Sequence, residues 1–115
     1  MIQGSTVIQM QLARETIASH LTRETTRRFD VAMHGAVLTS APSMTELRAA
    51  VCVCAAVLRE AEIGPVQMVL AMKVCAIDSA KRFDPTDKIF PATTVELLLD
   101  QIVKWAIIEY YRTVS

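Results

Sequence analysis

The sequence predicts an all-α fold, a compact bundle of four or five helices. Its 115 residues include only three glycines and four prolines, so regular structure is interrupted at few points. Apolar residues recur at helical spacing, and no segment combines strand-like alternation with a hairpin turn signal. A chain of this length is expected to form one domain, residues 1–115, with residues 1–4 as a flexible N-terminus.

The first part of the chain, residues 5–40, is expected to form one long helix or two shorter ones. Met10, Ile17 and Leu21 share one helical face, and an apolar pattern resumes at FDVAMHGAVL. Between these two patterns, the polar and threonine-rich run LTRETTRRF can bend or end a helix. The sequence therefore leaves open whether this part contains one helix or two.

A third helical segment begins after the run APSMTEL. Ser43 and Glu46 have the spacing of a capping box, which predicts a helix from Met44 to about Ile63. Gly64 follows directly, and glycine is the usual residue at the end of a helix. We therefore expect Gly64 to end this helix.

The next helix is predicted over residues 65–82, because Pro65 is favourable in the first turn of a helix. The segment FDPTDKIFP contains two prolines and is expected to be a loop. Thr93 and Glu96 have the spacing of a second capping box. They predict a last helix that continues through LLLDQIVKWAIIEYYR.

The composition points toward contact with another chain rather than with nucleic acid. Hydrophobic residues make up 52% of the chain and the mean hydropathy is +0.33, which is apolar for a short domain. Some of this apolar surface is expected to be covered by another polypeptide. Twelve basic residues balance twelve acidic ones, so the chain has no overall attraction to nucleic acid or to an anionic membrane.

The sequence predicts a cytoplasmic protein without membrane contact. The N-terminal run MIQGSTVIQMQLAR lacks the basic start and the small-residue cleavage site of a secretory signal. The longest uncharged apolar run, residues 49–58, contains ten residues, whereas a membrane span needs about 20. Three cysteines, an odd number, are typical of reduced thiols rather than of a disulfide framework.

The run VCVCAA places Cys52 and Cys54 one residue apart, with Cys75 on the next helix. On a helix the two nearby thiols point about 160° apart, so they cannot bind the same metal ion. We expect Cys54 and Cys75 to be small core residues. Cys52 is expected to be partly exposed, where Arg48 and Arg59 would lower the pKa of its thiol.

No metal or cofactor is predicted. His20 and His34 have no second ligand at helical spacing, and a zinc site needs several converging groups. The sequence also contains no nucleophile elbow, phosphate loop or metal motif. We therefore expect a protein that is not an enzyme and has no catalytic residues.

Two charged residues stand in apolar stripes of the predicted helices. Lys73 falls within one stripe, and Glu109 projects between Leu98 and Ile102 on another. A lone buried charge is costly, so we predict that Lys73 and Glu109 pair across the helix interface. The alternative is that the long lysine stem and the nearby chain end allow both groups to reach solvent.

Aromatic residues cluster at the end of the last helix. Trp105, Ile108, Tyr111 and Arg112 point away from its main apolar stripe or flank it. Trp, Tyr and Arg are enriched among the residues that contribute most to protein binding. These four residues are the candidate interaction surface, although a neighbouring helix of the same chain could also cover them.

The favoured function is a non-catalytic module that binds protein, either a partner or a second copy in a homodimer. The runner-up is a bundle that binds a small apolar ligand, with Met33, Met68 and Met72 as adaptable lining. An exposed apolar patch would favour protein binding, and an enclosed apolar cavity would favour the ligand.

A third function, weak contact with nucleic acid, depends on a local basic patch. Arg23, Arg27 and Arg28 could contact phosphates if all three lay on one exposed face. No recognition-helix pattern accompanies them, and as exposed helix residues they need no function. Nucleic acid is therefore not an expected partner.

Two segments carry a resemblance to a known family. In GPVQMVLAMK a proline starts an apolar helix that carries a lysine, and VKWAIIEYYR ends in a Trp-x-Ile-x-Glu-Tyr-Tyr-like run. Over residues 64–112 the chain resembles a family of small helical bacterial proteins with no assigned activity. The resemblance implies that these two helices form one unit containing Lys73 and Glu109, and it implies no function.

Overall fold

The chain folds into an all-α bundle, as predicted. The structure, a computed structural model, describes the backbone of residues 2–38, 41–83 and 92–112 and the side chains of residues 8–36, 44–83 and 95–112. Five helices make up this described part: α1 Ile2–His20, α2 Arg23–Leu38, α3 Ala41–Glu60, α4 Pro65–Phe83 and α5 Ala92–Tyr110. The loop predicted at FDPTDKIFP lies largely outside the described residues.

The threonine-rich run separates two helices, which resolves the alternative left open by the sequence. The chain leaves the helical path at Leu21 and Thr22, and Thr22 caps α2. Its Oγ1 accepts a hydrogen bond of 3.1 Å from the backbone N–H of Thr25, which is the third residue of the new helix. At its other end, α1 begins at Ile2.

Two helices begin earlier than predicted. α3 begins at Ala41 and α5 begins at Ala92, so Ser43 and Thr93 lie within first turns instead of preceding them as caps. The side chains of both residues lie outside the described part of the chain. In α3 the first turn accommodates Pro42, because the N–H that proline lacks has no partner inside the helix at that point.

The turn between α3 and α4 is a Schellman motif. The backbone N–H of Ile63 donates to the carbonyl of Leu58 at 3.0 Å, and that of Glu62 donates to Arg59 at 3.0 Å. Glu62 has a φ of 62°, in the left-handed region that glycine usually occupies. The prediction that Gly64 ends α3 is therefore wrong. Gly64 instead precedes α4, and its carbonyl accepts the first hydrogen bond of that helix at 2.9 Å.

The helix α4 is the centre of the bundle. It packs against each of the other four helices, while α5 also packs on α3, and α2 also packs on α3. α1 packs mainly against α4. This central position explains why α4 is apolar on nearly all sides. None of the described helices is both long enough and apolar enough to cross a membrane.

The buried face of α4 does not include Lys73. Met68 and Met72 are fully buried, whereas Val66 is 72% exposed and Lys73 is also exposed. The expectation that Lys73 lies in a buried stripe is therefore wrong. Because α4 is apolar nearly all round, its periodicity alone could not distinguish the face that meets α2 and α3 from the face that meets solvent.

Candidate functional site

The last helix, α5, has a clearly divided surface. Its inner face contributes Leu98, Ile102 and Ala106 to the core, and none of the three is more than 8% exposed. This face packs on α3 and α4. Since residues 3 and 4 apart share a helical face, the side of α5 opposite these three residues is directed away from the bundle.

The opposite side of α5 carries an outer stripe, which we define as Leu97, Gln101, Lys104, Ile108 and Tyr111. Successive members are separated alternately by four and three residues, the spacing at which one helix lies along another. Leu97 is 72% exposed, Ile108 58% and Tyr111 62%. Ile107, beside the stripe, is a further exposed apolar residue at 40%. The outer stripe is thus apolar at both ends and polar at its centre.

A shallow groove between α4 and α5 runs beside the outer stripe. Its volume is about 460 Å³ and it is lined by Lys73, Glu96, Leu99, Asp100, Val103 and Lys104. Two lysines and two carboxylates border an apolar floor. Lys73, which was expected in the core, therefore forms part of the polar border of this exposed surface.

The four residues predicted as an interaction surface lie partly in this region. Ile108 and Tyr111 belong to the outer stripe, and Arg112 is exposed beside it. Trp105 is half-buried and packs against the core cluster. It therefore lies beside the outer stripe and is not one of its members. Leu97 was not among the four predicted residues, although helical spacing also directs it away from the main apolar stripe of α5, as it does Ile108.

Glu109 has a different partner from the one predicted. Nη1 of Arg59 donates to the backbone carbonyl oxygen of Glu109 at 2.6 Å and lies 3.5 Å from its carboxylate Oε2. Nε of Arg112 lies 3.7 Å from the other carboxylate oxygen. The predicted pair with Lys73 is wrong, because Lys73 faces the groove and Arg59 reaches from α3 to the end of α5.

Arg59 has a specific role at the end of α5. The last carbonyls of a helix have no partner within the helix, and that end of the helix carries a partial negative charge. The Arg59 guanidinium donates to one such carbonyl, which also accepts from the backbone N–H of Arg112 at 3.2 Å, and it supplies positive charge. The hydroxyl of the next residue, Tyr110, donates to the carbonyl of Ile63 at 2.6 Å. Together these contacts fix the C-terminal end of α5 to the α3–α4 turn.

Cys52 lies beside the Glu109 carboxylate. Burial and this carboxylate raise the pKa of the Cys52 thiol, and Arg48 and Arg112 oppose the shift only in part. The expectation of a lowered pKa is wrong, because burial of the thiol and, after it, the nearby Glu109 carboxylate outweigh the arginines. A thiol with a raised pKa is a weak nucleophile at neutral pH.

A second polar region, the four-helix cleft, lies where α1, α2, α3 and α4 meet. Its volume is about 240 Å³, and it is lined by Ile17, Thr26, Phe29, Asp30, Cys54, Cys75, Asp78 and Arg82. Two ion pairs border it. Arg14 contacts both carboxylate oxygens of Asp78 at 3.0 Å, and Arg82 contacts Asp30 at 2.7 Å. The hydrogen bonds from Arg14 hold the pKa of Asp78 below its usual value.

The two thiols in the four-helix cleft are buried, as predicted for Cys54 and Cys75. Burial raises the pKa of Cys54 to about 12 and the pKa of Cys75 to about 12. Both thiols are therefore protonated at neutral pH, and all four charges at the cleft are engaged in ion pairs. Within the described residues, no group of three or more His, Cys, Asp or Glu side chains could hold a metal ion.

The basic residues of α2 border a third region. Arg23, Arg27 and Arg28 are all exposed, but Arg28 lies about 140° around the helix from Arg23. A groove of about 310 Å³ between α2 and α3 is lined by Arg27, Arg28, Val31, Ala32, Glu46, Ala49 and Ala50. The single face that nucleic-acid contact requires is present only for Arg23 and Arg27, which lie one turn apart.

The methionines and histidines occupy ordinary positions. Met33, Met68 and Met72 are 0% exposed and belong to the core cluster, and they line none of the three cavities described above. His20 is exposed. The ring of His34 lies against that of Phe83, with centroids 4.1 Å apart.

Comparison with known protein families, curated proteins and solved structures finds no match to this chain. The resemblance of residues 64–112 to small helical bacterial proteins therefore stays a prediction. The outer stripe of α5, with its aligned and exposed apolar side chains, is the candidate functional site of the chain.

Proposed function

We propose that this chain is a non-catalytic helical module that binds protein through the outer face of α5. The observation that supports this function is the outer stripe, in which Leu97, Ile108 and Tyr111 are each more than half exposed, at 72%, 58% and 62%. Exposed apolar side chains at this spacing suit packing against another helix. Their alignment on one face distinguishes them from isolated exposed apolar residues, which are common on protein surfaces.

The surroundings of the outer stripe also suit a protein interface. Such interfaces have an apolar centre and a polar border, with Tyr and Arg often contributing most of the affinity. Here the α4–α5 groove supplies Lys73 and Glu96 on one side, and Arg112 lies beside Tyr111 on the other. The four-helix cleft offers less to a partner, since its charges already pair within the chain.

The alternatives have less support. A ligand in the core would need space beside Met33, Met68 or Met72, and these side chains are packed in the core cluster. Nucleic-acid contact at α2 would receive no help from the overall charge of the chain, because the net charge is zero. We also propose a cytoplasmic location, because all three cysteines are free thiols and the cytoplasm is reducing.

Site-specific photocrosslinking tests the proposed surface. A photoreactive phenylalanine analogue would replace Ile108 and, as the matched control, Val31 on α2, since their exposures are 58% and 60%. We expect Ile108 to give one discrete crosslinked protein product that disappears when Leu97→Asp is added. Crosslinking from Val31 alone would contradict the proposal and move the binding surface to the α2–α3 groove.

A further inference from the structure

The exposed charges on the outer side of α5 change sign along the chain. Glu96 and Asp100 are acidic and lie in its N-terminal half, whereas Lys104 is basic and lies in its C-terminal half, and the basic Arg112 follows two residues after its end. All four are exposed. Asp100 and Lys104 are four residues apart and therefore neighbours on the helix surface, with Lys104 in the outer stripe and Asp100 at its edge.

We infer that the partner bound by the outer face of α5 is a second copy of this chain, antiparallel to the first about a two-fold axis. The inference rests on the proposed function and names its partner. In a two-fold pair, if residue i of one copy contacts residue j of the other, residue j also contacts residue i. Asp100 of each copy then lies near Lys104 of the other, once on each side of the axis, whereas a parallel pair would place Asp100 beside Asp100 and Lys104 beside Lys104.

The outer stripe sets the register of this pair. With the two-fold axis crossing α5 between Gln101 and Lys104, Leu97 lies beside Ile108 of the second copy. Gln101 then lies beside Lys104 of the second copy, and Asp100 is the nearest carboxylate to that ammonium group. Polar residues at the centre of a helix seam specify register and orientation at some expense of affinity. The apolar ends of the stripe supply the contact area.

The size of this interface predicts a weak, reversible dimer. α5 contains 19 residues and is about 28 Å long. One helix pair with the adjoining groove buries less than the roughly 1,200 Å² of a stable interface. We expect a dissociation constant between about 1 and 100 μM, in the range of transient association.

A charge-swap series measured by sedimentation equilibrium tests the inference. Asp100→Lys and Lys104→Asp are each expected to weaken the dimer about tenfold, because each change sets like charges opposite one another twice. The double variant Asp100→Lys/Lys104→Asp should recover the affinity to within about threefold. An equimolar mixture of the two single variants should form a heterodimer, since one copy then carries two bases and the other two acids. The positions are exposed, so far-UV circular dichroism should report the same helical fold for every variant.

Each outcome bears on the inference. Weakening by both single variants with recovery in the double variant and in the mixture supports an antiparallel self-pair. A wild-type chain that stays monomeric throughout the concentration series overturns it, and crosslinking from Ile108 to a different protein would then leave the proposed function standing. A dimer that none of the charge variants changes also overturns it, because such a dimer uses another surface or orientation.

Discussion

Nη1 of Arg59 lies 2.6 Å from the backbone carbonyl oxygen of Glu109 and 3.5 Å from the carboxylate of the same residue. One guanidinium therefore caps the end of α5 and compensates a buried acid, since Glu109 is only 9% exposed. The contact joins α3 to α5 across 50 residues of sequence. It holds the C-terminal end of α5 in place, so that Ile108 and Tyr111 are presented to solvent.

Loss of the Arg59 side chain is expected to destabilise the fold. Arg59→Met should lower the free energy of unfolding by about 1–3 kcal/mol, because the buried Glu109 carboxylate loses its less exposed guanidinium partner and the Glu109 carbonyl loses one of its two donors. Glu109→Gln should lower it less, since the carbonyl contact remains. The double variant should lose less than the sum of the two single variants. Urea unfolding followed by Trp105 fluorescence measures all three.

A matched control for this cycle is Arg48→Met, one of the exposed arginines of α3. Its effect should stay within about 0.5 kcal/mol, as for other surface substitutions. If Arg59→Met and Glu109→Gln were strictly additive, the two side chains would not be coupled, and the role given to Arg59 at the end of α5 would be wrong.

The chain is expected to lose free energy of unfolding at alkaline pH, because two of its thiols are buried. The pKa values of Cys54 and Cys75 are about 12 in the folded chain, compared with about 8.5 for an exposed thiol. As pH rises above about 8.5 the unfolded chain releases these protons first, so the stability present below that pH is lost between about 8.5 and 12. The slope of unfolding free energy against pH should become shallower in Cys75→Ala.

For this prediction, the control is Cys52→Ala, at a thiol that is only half-buried. It should change the slope less than Cys75→Ala does, when urea unfolding is measured in steps from pH 7 to pH 10. A stability that does not vary over this interval would mean that the thiols titrate alike in the folded and unfolded chains.

The left-handed residue at the end of α3 offers a stabilising substitution. Glu62 has a φ of 62°, where a side chain is disfavoured and glycine is not. Glu62→Gly is therefore expected to raise the free energy of unfolding by about 0.5–1 kcal/mol. Glu62→Ala, which removes the carboxylate but keeps a Cβ, should give no such gain. Equal effects of the two variants in thermal unfolding would place the cause in the charge of Glu62 instead.

Two apolar residues of α4, two positions apart, distinguish its buried face from its exposed face. Met68 is 0% exposed and Val66 is 72% exposed. Met68→Ala should cost about 2–5 kcal/mol, since it leaves a cavity in the core, whereas Val66→Ala should stay within about 0.5 kcal/mol. Comparable losses measured by urea unfolding would show that the face of α4 is misassigned.

The sequence was sufficient for the fold class and for most helices. The start of α4 at Pro65 and the burial of Cys54 and Cys75 follow from local signals, and the threonine-rich run did interrupt the N-terminal segment. Helix ends were less predictable. Glu62, rather than the nearby glycine, takes the left-handed position, because α3 ends at Glu60 and the left-handed residue of the Schellman motif falls two residues later.

The charged partners could not be read from the sequence. Lys73 looked buried because α4 is apolar on almost every side, and only the packing of four neighbouring helices shows which side is covered. Arg59 looked like a surface residue of α3, yet its long side chain reaches the end of α5. Long-range pairs of this kind depend on the relative placement of helices, which helical periodicity does not encode.

Self-association through the outer face of α5 is tested most directly by sedimentation velocity. The wild-type chain would be compared with Ile108→Asp and with the equally exposed control Val31→Asp over a concentration series from about 1 to 500 μM. We predict a sedimentation coefficient that rises with concentration for the wild type and for Val31→Asp and stays at the monomer value for Ile108→Asp. A wild-type coefficient independent of concentration, or a rise abolished by Val31→Asp and kept by Ile108→Asp, would contradict it.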